Sequence, residues 1–136
     1  MKTRSELRDV IVHVLYESYI LDIAKITYNI NDLIKEELET KNDFVNETIS
    51  GVLSNQKKLE EIANTYLLDW DINRLSKVDK AILSLGIYEL LYTNTPPVVA
   101  INEAIELSHK YSDEKVVKMI NGTLDRIYKS DLYQEN

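Results

Sequence analysis

Apolar residues in this chain return every three or four positions and seldom alternate with polar ones. That spacing puts them on one side of an α-helix rather than on one face of a strand. The first run opens at Thr3-Arg4-Ser5-Glu6, which reads as a capping box with Thr3 as N-cap and Glu6 reaching back. Leu7, Ile11, Val14, Leu15 and Ile23 then form one stripe. A second, short helix holds Ile30, Leu33, Ile34 and Leu38 and breaks near Thr40. A third runs from about Asp43 to Leu68 on Val45, Ile49, Val52, Leu59, Ile62, Ala63 and Tyr66, and a helical turn follows around Trp70 to Leu75.

Ser76-Lys77-Val78-Asp79 starts the next helix, with Ser76 as N-cap and Asp79 near the positive end of the dipole. The stretch from Ala81 to Tyr88 is apolar nearly all round, as expected of a helix enclosed by neighbours. Asn94-Thr95-Pro96-Pro97 ends it and starts another, because proline cannot continue a helix but suits a first turn. After Ala100, Ile101, Ala104, Ile105 and Leu107 comes a break at Tyr111-Ser112. Ser112 is the expected cap of a last helix carrying Val116, Met119, Ile120, Thr123, Leu124 and Ile127 inward. The tail after Ser130 is expected to fray.

Three glycines and two prolines are too few for a protein of strands and turns. Gly51, Gly86 and Gly122 all fall inside helical patterns, where glycine costs about 1 kcal/mol against alanine. Close helix approach is the expected return. Leu83, Ile87, Ile101, Ile105 and Leu124 should be buried, with Gly86 or Gly122 at a crossing, so that a bulky residue at Gly122 destabilises. The 136 residues make one domain, 1–136, with subdomains at about 1–68 and 69–130 and a frayed tail at 131–136.

Charge narrows the choice of partners. Net charge is −7, which excludes non-specific nucleic-acid binding through bulk charge. Both ends are locally basic: Lys2, Arg4 and Arg8 against Glu6, and Lys110, Lys115, Lys118, Arg126 and Lys129 against Asp113, Glu114 and Asp125. Residues 32–47 between them are acidic. With no cysteine there are no disulfides or thiolate sites, as expected in a reducing cytoplasm. The opening residues lack the apolar run of a signal peptide, and no stretch approaches the ~20 apolar residues that span a bilayer. No second histidine stands at metal-site spacing from His13 or His109, and no phosphate-binding loop or nucleophile elbow occurs. Neither enzyme nor cofactor is expected. Of the nine tyrosines, most lie on apolar stripes and read as core.

Three stretches together resemble one family. They are Arg4-Ser5-Glu6-Leu7-Arg8 through Leu15-Tyr16; Trp70-Asp71-Ile72-Asn73-Arg74-Leu75 with Val78-Asp79-Lys80-Ala81-Ile82-Leu83 and Tyr88-Glu89-Leu90; and Val99-Ala100-Ile101-Asn102-Glu103-Ala104 followed by Lys118-Met119-Ile120-Asn121-Gly122-Thr123-Leu124-Asp125. Their order and spacing are similar to the NusB family of bacterial transcription antitermination factors, over nearly the whole chain. The resemblance implies an all-α fold of about seven helices in two small bundles packed across each other. It also implies binding of boxA-type single-stranded RNA in nascent ribosomal RNA together with NusE, a ribosomal small-subunit protein, and through it an indirect link to the RNA polymerase elongation complex.

Residue by residue, the resemblance implies RNA contacts at Lys2, Arg4 and Arg8 in the basic N-terminal arm, at Tyr16, and at Asp79 and Lys80. In the last helix it implies Lys115, Lys118, Met119 and Asn121. Three positions depart from the family pattern: Ser5 and Ser84 replace basic residues, and Met119 replaces an aromatic. A thioether packs against a base but offers no ring to stack. The alternative is a helical adaptor of the same fold with weak or lost RNA binding. Gathering of Arg4, Arg8, Lys115 and Lys118 on one surface distinguishes the two.

Overall fold

The computed structural model describes residues 1–134. Those residues form eight α-helices and one 3-10 turn, with no strand among them. The helices are α1 (Arg4–Ile23), α2 (Ile30–Glu37), α3 (Asp43–Ser54), α4 (Gln56–Tyr66), α5 (Lys77–Tyr92), α6 (Pro97–Tyr111), α7 (Glu114–Lys129) and α8 (Asp131–Gln134); the 3-10 turn is Ile72–Arg74.

Local chemistry sets most of the boundaries. Thr3 Oγ1 accepts from the Glu6 amide at 3.1 Å and the Thr3 amide donates to Glu6 Oε1 at 2.8 Å, completing the expected capping box. α1 stops in a Schellman turn: the Ile26 amide donates to the Leu21 carbonyl and the Lys25 amide to that of Asp22. Lys25 takes the left-handed conformation there, φ 59°, that glycine more often fills. Ser76 Oγ accepts from the Asp79 amide, starting α5 as its sequence implies.

Four local expectations change. The long third helix is two, broken at Asn55, whose side-chain amide donates to the Gly51 carbonyl at 2.7 Å. That bond competes with the backbone ladder, and a new helix starts at once. Asp113 rather than Ser112 caps α7, accepting from the Val116 amide; Ser112 ends α6 and donates its hydroxyl to Asp79. The tail does not fray at once: Asp131–Gln134 form a helical turn, and Leu132 and Tyr133 lie against the core. Residues 135 and 136, the rest of that expectation, lie outside the described residues. Ile23, placed on the inner stripe of α1, is exposed because it falls seven residues after Tyr16, on the side of the helix turned to solvent.

α5 is the axis. It packs on α1, α3 and α4 and also on α6 and α7, and Ala81–Ile87 are all buried. α1 runs antiparallel to it, with Arg8 beside Glu89 near one end and Tyr19 beside Lys80 near the other. Leu83, Ile87 and Leu124 are buried as expected, whereas Ile101 and Ile105 are only half-buried, because α6 turns Ala100, Ala104 and Leu107 inward. A Cβ on Gly86 would stand 3.0 Å from Leu124 and 3.4 Å from Ala104, so this glycine marks the crossing of α5, α6 and α7. Gly122 does not. Its side faces only the Arg126 guanidinium, which corrects the expectation that bulk there separates helices.

Candidate nucleic-acid interface

An RNA-binding surface needs cations free to meet phosphates and flat groups free to meet bases. Burial decides which of the residues expected there remain available.

Arg8 is not free. It is almost fully buried, and its Nε and Nη2 donate to the two carboxylate oxygens of Glu89 at 2.7 and 2.9 Å, with Glu103 3.4 Å from Nη1. Burial works to lower the guanidinium pKa; the hydrogen bonds and charge of Glu89, with Glu103, outweigh it and raise the pKa. The same knot holds Thr95, whose hydroxyl donates to Glu89, while Ser5 donates to Glu103 at 2.6 Å. A bidentate pair of this kind ties α1 to α5 and α6; it does not reach solvent. Ser5 therefore serves the knot.

Asp79 and Lys80 are buried too. Asp79 accepts from Ser112, fixing the end of α6 to the start of α5. Lys80 donates to Asn73 Oδ1 at 3.0 Å, pairs with Glu60 at 3.3 Å and lies over the Tyr19 ring. Ser84 is fully buried and accepts from Gln56 Nε2, which in turn leaves Gln56 Oε1 for the Tyr19 hydroxyl. Burial pushes that hydroxyl's pKa up. A long cation at position 84 would have no room here.

What stays exposed falls into separate places. Lys2 and Arg4 stand at the start of α1, with the Arg4 guanidinium 4.0 Å from the centre of the Phe44 ring. Lys115, Lys118 and Asn121 are exposed on α7. Neither lysine has a carboxylate partner among the described residues, and Lys115 Nζ lies 5.3 Å from the centre of the Trp70 ring. Met119 is half-buried against the core. The two groups are not one patch: the Arg8–Glu89 pair holds the first toward the C-terminal end of α5, and the Ser112–Asp79 bond holds the start of α7 at its N-terminal end. The ten helical steps from Asp79 to Glu89 rise about 15 Å.

Tyr16 is exposed and stands in a third place. It lines an open cleft with His13, Glu17, Val78 and Tyr111. Tyr16, Ile20 and Ile23 occupy positions i, i+4 and i+7, so they share one face of α1. They are 41%, 41% and 62% exposed, an apolar stripe turned to solvent. The helical pattern pointed only to an inner stripe; that α1 carries a second one outside is visible only once its buried face is known.

No three His, Asp or Glu side chains stand as a metal-holding group among the described residues, and no helix of theirs is long and apolar enough to cross a membrane.

Comparison with known proteins agrees with this architecture. Two curated relatives, both transcription antitermination proteins NusB, are each 39% identical. The one from Campylobacter concisus aligns over 97% of this chain and its own whole length, the one from Bacillus subtilis over 98% and 99%. The structure of NusB from T. maritima superimposes with a TM-score of 0.81 at 32% identity, covering all of both chains. A crystal structure of the antitermination factors NusB and NusE in complex with double-stranded RNA matches with a TM-score of 0.77 at 28% identity, over 93% of this chain and 96% of that one. The NusB family model matches residues 2–129, and the chain belongs to the NusB family.

Proposed function

We propose that this chain is a transcription antitermination factor that binds boxA-type RNA of nascent ribosomal transcripts jointly with a NusE-type ribosomal protein. The observation that carries the reading is a set of exposed cations with no carboxylate partner among the described residues, Arg4 at the start of α1 and Lys115 and Lys118 on α7. Such cations are free to meet phosphates. The exposed Tyr16–Ile20–Ile23 stripe supplies the protein-binding face, and the related NusB–NusE structure with RNA supports a partner of that kind. Few cations are free and the net charge is −7, so the partner has to contribute charge for RNA to bind well.

The burial of Arg8 and Lys80 in ion pairs favours a second reading, a protein-binding adaptor with little RNA affinity of its own. Titration of a boxA-type RNA oligomer with and without purified NusE, over a salt series, separates the two. The first reading expects weak binding alone and at least a tenfold gain with NusE, a coupling of about 1.4 kcal/mol. Equal RNA affinity of NusE with and without this chain supports the adaptor.

A further inference from the structure

We propose that Trp70 is a base-stacking residue of the RNA site. The inference rests on the RNA-binding reading above and extends it to a residue on a different element.

Trp70 is the chain's one tryptophan. It lies on the link between α4 and the 3-10 turn, just after Asp69, whose left-handed backbone, φ 63°, turns the chain there. The link is pinned on both sides. Arg126 Nε donates to the Tyr66 carbonyl at 3.0 Å, the Ile72 amide donates to Asn64 Oδ1 at 2.8 Å, and Asp71 caps the turn through the Asn73 amide. A large ring on such an anchored segment would ordinarily be buried with its N–H satisfied. Here it is 38% exposed, and its indole N–H has no hydrogen-bond partner among the described residues.

Its neighbour is an unpaired cation. Lys115 Nζ sits 5.3 Å from the ring centre, and Lys118 follows one turn later on α7. Lys115 has only the ring to hold it. A flexible lysine stem can therefore swing from the ring to a phosphate, opening the indole face to the attached base. Met119, four residues beyond Lys115, shares its side of the helix and is half-buried, so it can line this place without providing a stacking surface. Tryptophan stacks any base through its π-face, so the contact adds affinity with little sequence preference.

The sole tryptophan makes the test direct, since its fluorescence reports this place alone. Full-length chain is titrated with a fluorescein-labelled boxA-type RNA, following label anisotropy for binding, and with the unlabelled oligomer, following indole emission. Trp70→Ala and Trp70→Phe are run beside it with thermal melts. The expected result is quenched indole emission that saturates with the anisotropy change, about tenfold or greater loss of affinity in Trp70→Ala, and retention of most affinity in Trp70→Phe. The salt slope should be the same in all three, because no phosphate contact is removed. Binding without quenching, or undiminished affinity in Trp70→Ala, overturns the stacking role and leaves the RNA-binding reading standing. Absence of RNA binding by the unaltered chain, with and without NusE, overturns both. If Trp70→Ala melts early, the Phe variant and the quenching decide.

Discussion

Gly86 and Gly122 show how little a residue type says without its surroundings. Both lie in helices, and both lower helix propensity alike. Gly86 faces Leu124 and Ala104 across a packed crossing, where even a Cβ would stand only 3.0 Å from Leu124. Gly86→Leu should therefore lower stability by about 1–3 kcal/mol or more through overpacking. Gly122 faces only the flexible end of Arg126, 3.1 Å from where a Cβ would lie, so Gly122→Ala should change stability by no more than about 1 kcal/mol, in the stabilising direction if the guanidinium gives way. Urea midpoints of the two variants check both statements; an unchanged midpoint for Gly86→Leu would contradict the crossing. Arg8 offers a similar contrast with Lys118. In the sequence both are basic residues near an end, yet only one is a surface charge.

Between elements, α1 and α6 are joined at Asp9 as well as at Glu103. Asp9 accepts from Lys110 Nζ and the Tyr111 hydroxyl, each at 2.5 Å, and His13 lies close by. Partial burial works to raise the Asp9 pKa, but the bonds from Lys110 and Tyr111 and the nearby charges hold it below the ordinary value. A carboxylate with a lowered folded-state pKa stabilises at pH above its unfolded value, about 3.9, and loses that contribution as pH falls through the folded value. Asp9→Asn should accordingly melt lower than the unaltered chain at neutral pH, and the gap should close below about pH 4. Melting temperatures across that range test it; a gap independent of pH would remove Asp9 from the acid response. Elements were readable wherever their boundaries are local chemistry, as with the Thr3–Glu6 box, Ser76 and Pro97. Asn55 was not, because the apolar stripe of α3 continues in step into α4 and a single asparagine bond makes the break. Nor was the fate of Arg8, which is decided by Glu89, 81 residues away. Spacing within one helix cannot announce a partner on another, so the candidate cations were legible and their availability was not.

At the scale of the whole molecule, two basic places stand apart on an acidic chain. Lys118→Ala should weaken binding of different boxA-type RNAs about equally and reduce the salt slope by about one, as for a lost phosphate contact. Arg8→Ala should act otherwise: it leaves Glu89 buried without its cation, at a cost of about 3–5 kcal/mol in stability. A salt series on the first and thermal melts on the second distinguish a surface charge from a structural one; reversal of the two patterns would relocate the interface. α5 also imposes an order on the making of the protein. Translation runs from the N-terminus, so α1 to α4 leave the ribosome before the helix that covers their apolar faces exists. Until Glu89 and its neighbours emerge, Arg8 has no partner and Leu7, Ile11 and Leu15 have lost one wall of their site. The nascent first half should thus stay open to protease and to chaperones, and become resistant in one step when α5 clears the exit tunnel, which stalled chains ending before and after α5 would reveal.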